Sequence, residues 1–277
     1  MEIDVNHLFF WEPIWFADTP FAVNRVVVLI FLASLLCMAF FLLGARRKSI
    51  VPRGAQNVAE AAYLFVRNNI AVDVIGPDGV RFAPYLAALF FFIFFNNLLE
   101  IVPGVNFPTT SRMALPAFLA LLTWIVFNVV GFRAQGGRYL KETLFPPGVP
   151  KFIYVLLTPI ELFSVFIIRP ATLAIRLLAN MMAGHVLLTV FFLFTHDFLV
   201  ENLTPVSAFG GVLTFVVACV VIMFELLVIS IQAYIFTMLT AFYIAESAHG
   251  HGPEDPQAGE HGAPHHTEVE GLPAHAA

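Results

Sequence analysis

The stretch VSAFGGVLTFVVACVVIMFELLVISIQAYIFTMLTAFYIA, residues 206–245, sets the limits on the fold of this chain. It contains one carboxylate, Glu225, and no basic side chain. As an α-helix it would be about 60 Å long, twice the thickness of a bilayer core. The stretch is therefore either a hairpin of two spans or one steeply inclined helix. Its best candidate breakers, Gly210 and Gly211, lie too near its start to divide it evenly, which favours the single helix.

A second segment, residues 152–199, presents the same problem of length. It also lacks a cluster of turn residues, although a single span needs only about 20 residues. A hairpin and an inclined helix both fit this segment. Pro170 is the residue that would mark the bend of a hairpin, because proline interrupts helical hydrogen bonding.

The composition of the whole chain is that of a membrane protein. Of its 277 residues, 59% are hydrophobic and 12% are charged, against about a quarter charged in soluble domains. The alternating polarity of an outer-membrane barrel, with its period of about 10 residues, is absent from the sequence, so the spans should be helices. We predict an all-α polytopic membrane protein with about three ordinary spans before the two long segments, at about 26–43, 82–102 and 115–132.

The basic residues predict how the chain is oriented. GARRKS follows the first span, and the third span is followed by Arg133, Arg138 and Lys141. By the positive-inside rule both groups are cytoplasmic, which leaves the N-terminus, residues 1–23, outside. Residues 24–245 would form the membrane domain. Residues 246–277, rich in His, Gly and Pro, are predicted to be a disordered cytoplasmic tail.

One further element is predicted between the first two spans. Residues 54–75 mix charged and apolar side chains in a pattern that suits a surface helix. The sequence IGPDG at 75–79 is a turn that would end this helix.

Arg176 is the most informative of the ionisable residues at membrane depth, which are costly enough to be functional candidates by default. No neighbouring turn offers it a carboxylate, so its partner must come from elsewhere. Helical spacing puts Asn180 and Ala183 on the face of Arg176. The same spacing places His185 about 180° around the helix from Arg176 and about 13 Å from it along the axis.

Glu225 and Gln232 are two helical turns apart, so they share a face about 10 Å apart along the axis. A carboxylate at mid-membrane needs either water or a proton. If their helices pack, Glu225 and His185 form a proton relay. The alternative is a neutral hydrogen-bonded pair that only holds the two helices together.

Three other ionisable residues have structural interpretations beside the functional one. Thr158, Pro159 and Glu161 fit a capping box at a helix start, which leaves Glu161 open between a capping and a functional role. Glu100 ends the second span and is expected to reach headgroup water. Arg169 precedes Pro170 and is expected to extend to the membrane surface.

IRLLANMMAGH at 175–185, followed by ELLVISIQAYIFTMLTAFYI at 225–244, closely resembles subunit a of F-type ATP synthases. The likeness includes NNLLEIVPG at 96–104 and the order of spans, and extends from about residue 20 to 245. It implies a membrane hairpin followed by two long inclined helices packed against a rotor ring. The implied partners are the c-ring, with one carboxylate per subunit, b-type peripheral stalk subunits and membrane lipid. The implied location is a bacterial plasma membrane rather than a mitochondrial or chloroplast inner membrane.

The resemblance also assigns roles to residues. It implies that Arg176 faces the ring carboxylates and that Asn180 and Gln232 flank it. Glu161, His185 and Glu225 would line the aqueous path of the proton. The interval from Glu161 to Arg176 is fifteen residues, one longer than in familiar members, which puts the role of Glu161 in doubt.

Two other classes of function compete with this interpretation. A secondary transporter would show corresponding Gly- or Pro-interrupted segments in its two halves, and this sequence has no such pair. An intramembrane enzyme would need a nucleophile at a helical spacing from His185 or a metal motif such as HExxH, and neither occurs. We therefore predict a non-catalytic subunit without cofactor, nucleotide site or nucleic-acid partner.

Overall fold

The computed structural model describes residues 24–45, 54–102, 105, 109–145, 152–201 and 204–249. Over these ranges the chain is almost entirely helical and has no strand, which confirms the predicted all-α class. Four helices are long and apolar enough to cross a membrane: Arg25–Gly44, Ala114–Gln135, Tyr154–Glu201 and Pro205–Ala248. The N-terminal segment, the basic residues after the first span and the end of the chain lie outside the described residues.

The α-helices of eight or more residues are numbered here in chain order. They are α1 (Arg25–Ala45), α2 (Ala55–Val66), α3 (Ala83–Leu98), α4 (Ala114–Gln135), α5 (Gly137–Leu144), α6 (Tyr154–Phe163), α7 (Arg169–His196) and α8 (Pro205–His249). Three π-helical turns continue some of these helices, at Arg67–Val72 after α2, Ser164–Ile168 after α6 and Asp197–Glu201 after α7.

The segment 152–199 is a single helix rather than a hairpin. α6, the π turn at Ser164–Ile168, α7 and the π turn at Asp197–Glu201 follow one another without a break over Tyr154–Glu201. Pro170 lies in the first turn of α7, directly after the wide π turn. The proline therefore falls where the hydrogen-bonding register already changes, and the helix continues.

α8 is also one helix, as predicted, and it is 45 residues long. It continues through Glu246 to His249, into the segment assigned to the tail. Contacts fix this last part, because Gln135 Nε2 donates a hydrogen bond to the Ser247 carbonyl over 3.1 Å. The hydroxyls of Tyr139, in α5, and Ser247 are also within hydrogen-bond distance.

α7 and α8 pack against each other in antiparallel directions. Contacts from one end to the other join Arg169 to Glu246, Asn180 to Gln232 and Thr195 to Thr214. The antiparallel direction follows from the order of these pairs, because the residue number rises along α7 while the residue number of the partner falls along α8. Residues far apart in sequence are thereby brought to the same place.

The core lies where α3 and α4 pack against α8. Its largest fully buried side chains include Leu86, Ile93, Phe127 and Phe236. α2 closes one side of this core through Val66 and the π turn after it. The helical segment that follows ends at Gly76, whose φ of 90° is a conformation that residues with a side chain rarely adopt. Many large apolar side chains point outward, as expected of a surface that faces lipid.

Candidate functional site

α7 presents two different faces, as the helical spacing predicts. Arg176, Asn180 and Ala183 are exposed on one face. Gly184 and His185 are buried on the other, against the rest of the protein. The permanent cation and the titratable imidazole are therefore separated by the body of one helix.

Within the described residues, Arg176 makes neither a hydrogen bond nor an ion pair. Its surroundings on α7 are small, since Ala179 and Ala183 are both exposed beside it. Small residues at such spacing allow another helix to approach closely. The expectation that the arginine meets a carboxylate from another chain stays a prediction.

Asn180 and Gln232 form the bridge between the exposed face and the interior. Asn180 Nδ2 donates a hydrogen bond to Gln232 Oε1 over 2.8 Å. Gln232 is 1% exposed, whereas Asn180 lies on the surface of α7. The two amides thus stand side by side one turn beyond Arg176.

Gly184 is the point of closest approach between α7 and the Glu225 carboxyl group. A Cβ atom placed on Gly184 would lie 2.3 Å from Glu225 Oε1 and 2.5 Å from Cδ. A residue with a side chain fits there only if the carboxyl group of Glu225 moves. The glycine therefore allows the carboxyl group of Glu225 to lie against α7, at the residue that precedes His185.

Glu100 completes this group, and the expectation that it reaches headgroup water is wrong. Its side chain is fully buried, and Oε1 lies 4.0 Å from Nδ1 of His185. The Glu225 carboxylate is also close enough to act on Glu100 electrostatically. Glu100, His185 and Glu225 form one buried cluster of two carboxyl groups and one imidazole, which we call the acid–imidazole cluster.

Hydrogen bonds position the turn that carries Glu100. Thr109 Oγ1 donates to Asn96 Oδ1 over 2.7 Å, and Thr110 Oγ1 donates to Asn97 Oδ1. All four side chains are fully buried. The signal in the sequence was the pair of amides in NNLLE, because two adjacent asparagines are costly in an apolar helix unless they hold something in place.

Several buried polar atoms in and near the acid–imidazole cluster have no hydrogen-bond partner among the described residues. They are Asn97 Nδ2, both carboxyl oxygens of Glu100, Glu225 Oε1 and Gln232 Nε2. Buried polar atoms are nearly always satisfied by protein or by ordered water. Atoms of this kind are the ones that ordered water satisfies in proteins.

Glu161 is not a capping residue. α6 begins at Tyr154, so Thr158 and Pro159 lie inside the helix, and the Thr158 hydroxyl donates to the Leu144 carbonyl over 3.1 Å. The capping-box pattern was misleading because the helix starts a turn earlier than the pattern requires. Glu161 is partly exposed on this helix.

The π turn at Ser164–Ile168 lies between Glu161 and Arg176. Fifteen residues of regular α-helix would turn Glu161 about 60° past Arg176. A π turn takes up one extra residue, which rotates the preceding helix back by about 100°. This rotation brings Glu161 within about 20° of Arg169 and about 40° of Arg176 around the helix axis. A regular helix with an interval of fourteen residues from Glu161 to Arg176 would give the same angle of about 40°. The longer interval is thus compensated by local geometry.

These features define a class: an all-α polytopic membrane protein in which one long helix, α7, exposes an arginine on one side and contributes a histidine to a buried acid–imidazole cluster on the other. The family model of the ATP synthase A chain matches residues 26–245. The chain belongs to this family, which confirms the resemblance seen in its motifs.

Individual relatives agree with this assignment, and each of the following carries the name ATP synthase subunit a. The protein of Parafrankia sp. (strain EAN1pec) is 45% identical over 257 residues, covering 92% of this chain and 84% of the relative. That of Frankia alni is 45% identical over 262 residues, covering 92% and 89%. That of Rhodococcus erythropolis is 43% identical over 232 residues, covering 83% and 84%.

Proposed function

We propose that this chain is the proton-translocating stator subunit in the membrane sector of an F-type ATP synthase. It would form two offset aqueous half-channels and couple proton passage to rotation of a ring of c subunits through Arg176. The observation that carries the proposal is the division of α7, with Arg176 on an exposed face of small residues and the acid–imidazole cluster buried behind it. ATP synthesis itself would belong to partner subunits.

The positions of the titratable groups along one helix support two separate access paths. His185 lies nine residues after Arg176, about 13 Å along the axis, and Glu161 lies fifteen residues before it, about 20 Å in the other direction. The acid–imidazole cluster would pass protons between the ring and one side of the membrane. Glu161 would line the path to the other side.

Arg176 would act on each ring carboxylate that reaches it. A guanidinium favours the ionised form of a nearby carboxyl group, so the ring carboxyl releases its proton on one side of the arginine. The same permanent charge disfavours a proton beside it and blocks a direct leak between the two half-channels. Rotation of the ring is then the only route across.

The membrane potential would give this rotation its direction. One elementary charge that crosses 100 mV gains about 2.3 kcal/mol. Asn180 and Gln232 would support the process as neutral polar groups beside Arg176, because they offer hydrogen bonds without competing for its charge.

The proposal extends to partners and location. The c-ring would bind the face of Arg176, b-type stalk subunits would hold the chain in place, and lipid would cover the remaining apolar surface. The membrane would be a bacterial plasma membrane. Residues 1–23 would lie outside, residues 24–245 within the membrane domain, and the tail from 246 to 277 in the cytoplasm.

The test is proton pumping by inverted membrane vesicles after addition of ATP. Arg176→Ala should abolish pumping while the complex still assembles, as shown by pull-down of the partner subunits. Arg81→Ala is the matched control, because this arginine is exposed outside the two long helices and stacks over Phe82. It should pump at the wild-type rate.

Retained pumping by Arg176→Ala would overturn the proposal and favour a secondary transporter. In that case the acid–imidazole cluster would be a substrate site, and uptake of a solute by vesicles without ATP would reveal it. Loss of pumping by Arg81→Ala as well would mean that the assay reports general damage.

A further inference from the structure

Arg169 and Glu246 form an ion pair that joins the first residue of α7 to the last part of α8. Arg169 Nη1 donates to Glu246 Oε2 and Nη2 donates to Oε1, each over 2.7 Å. The guanidinium carbon also lies 5.1 Å from the centre of the Tyr243 ring. This two-bond geometry is the strongest that arginine and a carboxylate adopt, and it neutralises the charge of Arg169.

Arg169 has a particular position relative to Arg176. Seven residues separate them, which is nearly two helical turns, so they lie within about 20° of one face and about 10 Å apart along the axis. Thr172, between them, is exposed on that face, and Tyr243 is close enough to interact with both arginines electrostatically. Without Glu246 this face would present two uncompensated cations.

We infer that Glu246 serves to cancel the charge of Arg169, so that Arg176 alone attracts the ring carboxylates. The inference rests on the proposed function, and it assigns Glu246 the part of a positioning residue that acts through Arg169. It gives a reason for the carboxylate in the helical end of α8, where both of its oxygens accept hydrogen bonds from Arg169.

The expected effect follows from Coulomb's law. A ring carboxylate held at Arg176 would be about 10 Å from Arg169. At an effective dielectric constant of about 20, a free charge at that distance changes an equilibrium by roughly tenfold. An unpaired Arg169 would therefore hold the carboxylate in its ionised form and slow its departure with a new proton.

A second role for the same ion pair is mechanical, as a tie between α7 and α8. The two roles predict different outcomes for single and double substitutions. If the pair is a tie, losing either partner or both should do similar harm. If Glu246 cancels a charge, losing Glu246 alone should be harmful, whereas losing both partners together should not, because no free charge then remains.

The experiment compares Arg169→Gln, Glu246→Gln and the double variant in the whole ATP synthase, again by ATP-driven pumping in inverted vesicles with assembly checked by pull-down. We expect pumping by Glu246→Gln to fall roughly tenfold. The double variant should stay within about twofold of wild type, because it leaves no free charge. Arg169→Gln leaves Glu246 as a free anion, which should disfavour the ionised ring carboxylate by a similar factor. The double variant also shows whether the Glu246 substitution is compatible with folding, because it contains the same change.

Glu201→Gln is the control for loss of a carboxylate from these helices, because Glu201 is 53% exposed and, among the residues that the structure describes, pairs with His196 alone, at 3.8 Å. Equal losses in all three test variants would overturn the inference in favour of a tie. Wild-type pumping by Glu246→Gln would also overturn it. Failure of the proposed function would appear separately, as wild-type pumping by Arg176→Ala.

Discussion

Gly184→Ala is the sharpest test of how the buried carboxyl group of α8 is positioned. The added methyl group would lie 2.3 Å from Glu225 Oε1 and 2.7 Å from Oε2, whereas ordinary contact begins near 3.4 Å. The carboxyl group would have to move by about 1 Å in a closely packed interface. Alanine is otherwise the better helix former by about 1 kcal/mol, so the contact alone decides the direction of the effect.

The displacement should affect function more than stability. Overpacking of this kind costs about 1–3 kcal/mol, whereas proton transfer requires groups within hydrogen-bond reach, and a shift of about 1 Å can cost about a hundredfold in rate. We expect ATP-driven proton pumping in inverted vesicles to fall between about tenfold and a hundredfold, with the complex still assembled.

Two comparisons make the result specific. Gly210→Ala introduces the same methyl group in α8 instead of α7, at a point where the nearest atom is Phe198 Cδ2 at an ordinary 3.6 Å, so pumping should be unchanged. Adding Glu225→Asp to Gly184→Ala shortens the opposing side chain by one methylene and should recover part of the loss. Wild-type pumping by Gly184→Ala would refute the reasoning, because it would show that this contact does not set the carboxyl position.

Two further predictions concern Glu161 and Glu100. Deletion of Ile167 from the π turn should leave pumping nearly unchanged, because a regular helix with one residue fewer keeps Glu161 on the same face. Insertion of an alanine after Ile167 should reduce pumping at least tenfold, and equal effects of the two changes would contradict this geometry. Glu100→Gln keeps the shape of the side chain but removes a titratable group from the acid–imidazole cluster, so pumping should fall at least tenfold. The exposed substitution Glu201→Gln should have no effect, and a Glu100→Gln enzyme that pumps normally would remove Glu100 from the path.

The long helices show what an apolar pattern can and cannot predict. The length of residues 206–245 and the absence of a central breaker correctly predicted one continuous helix. The same reasoning left residues 152–199 open, because Pro170 could bend the chain. The sequence does not reveal that a π turn precedes this proline, because that choice depends on packing against α4, where Trp124 Nε1 donates to the Val165 carbonyl.

The site shows a similar division. Helical spacing alone separated Arg176 from His185, because both lie on one regular helix. Glu100 was misplaced, since a carboxylate at the end of a span can point to water or inward with the same local sequence. Only the packing of α7 against the turn after α3 brings His185 to it. Contacts between distant segments therefore decided the parts of the site that the sequence left undetermined.

The ties along α7 have a mechanical meaning in the proposed motor. A turning ring exerts a sideways thrust on the stationary helix, and a beam held only at its ends would bow under such a load. α7 is instead fastened to α8 near both ends and beside Arg176, by the pairs of Arg169, Asn180 and Thr195, while α4 supports the π turn before it. In that motor α7 would deform little under the load. The elastic energy stored between steps of rotation would then reside in other subunits.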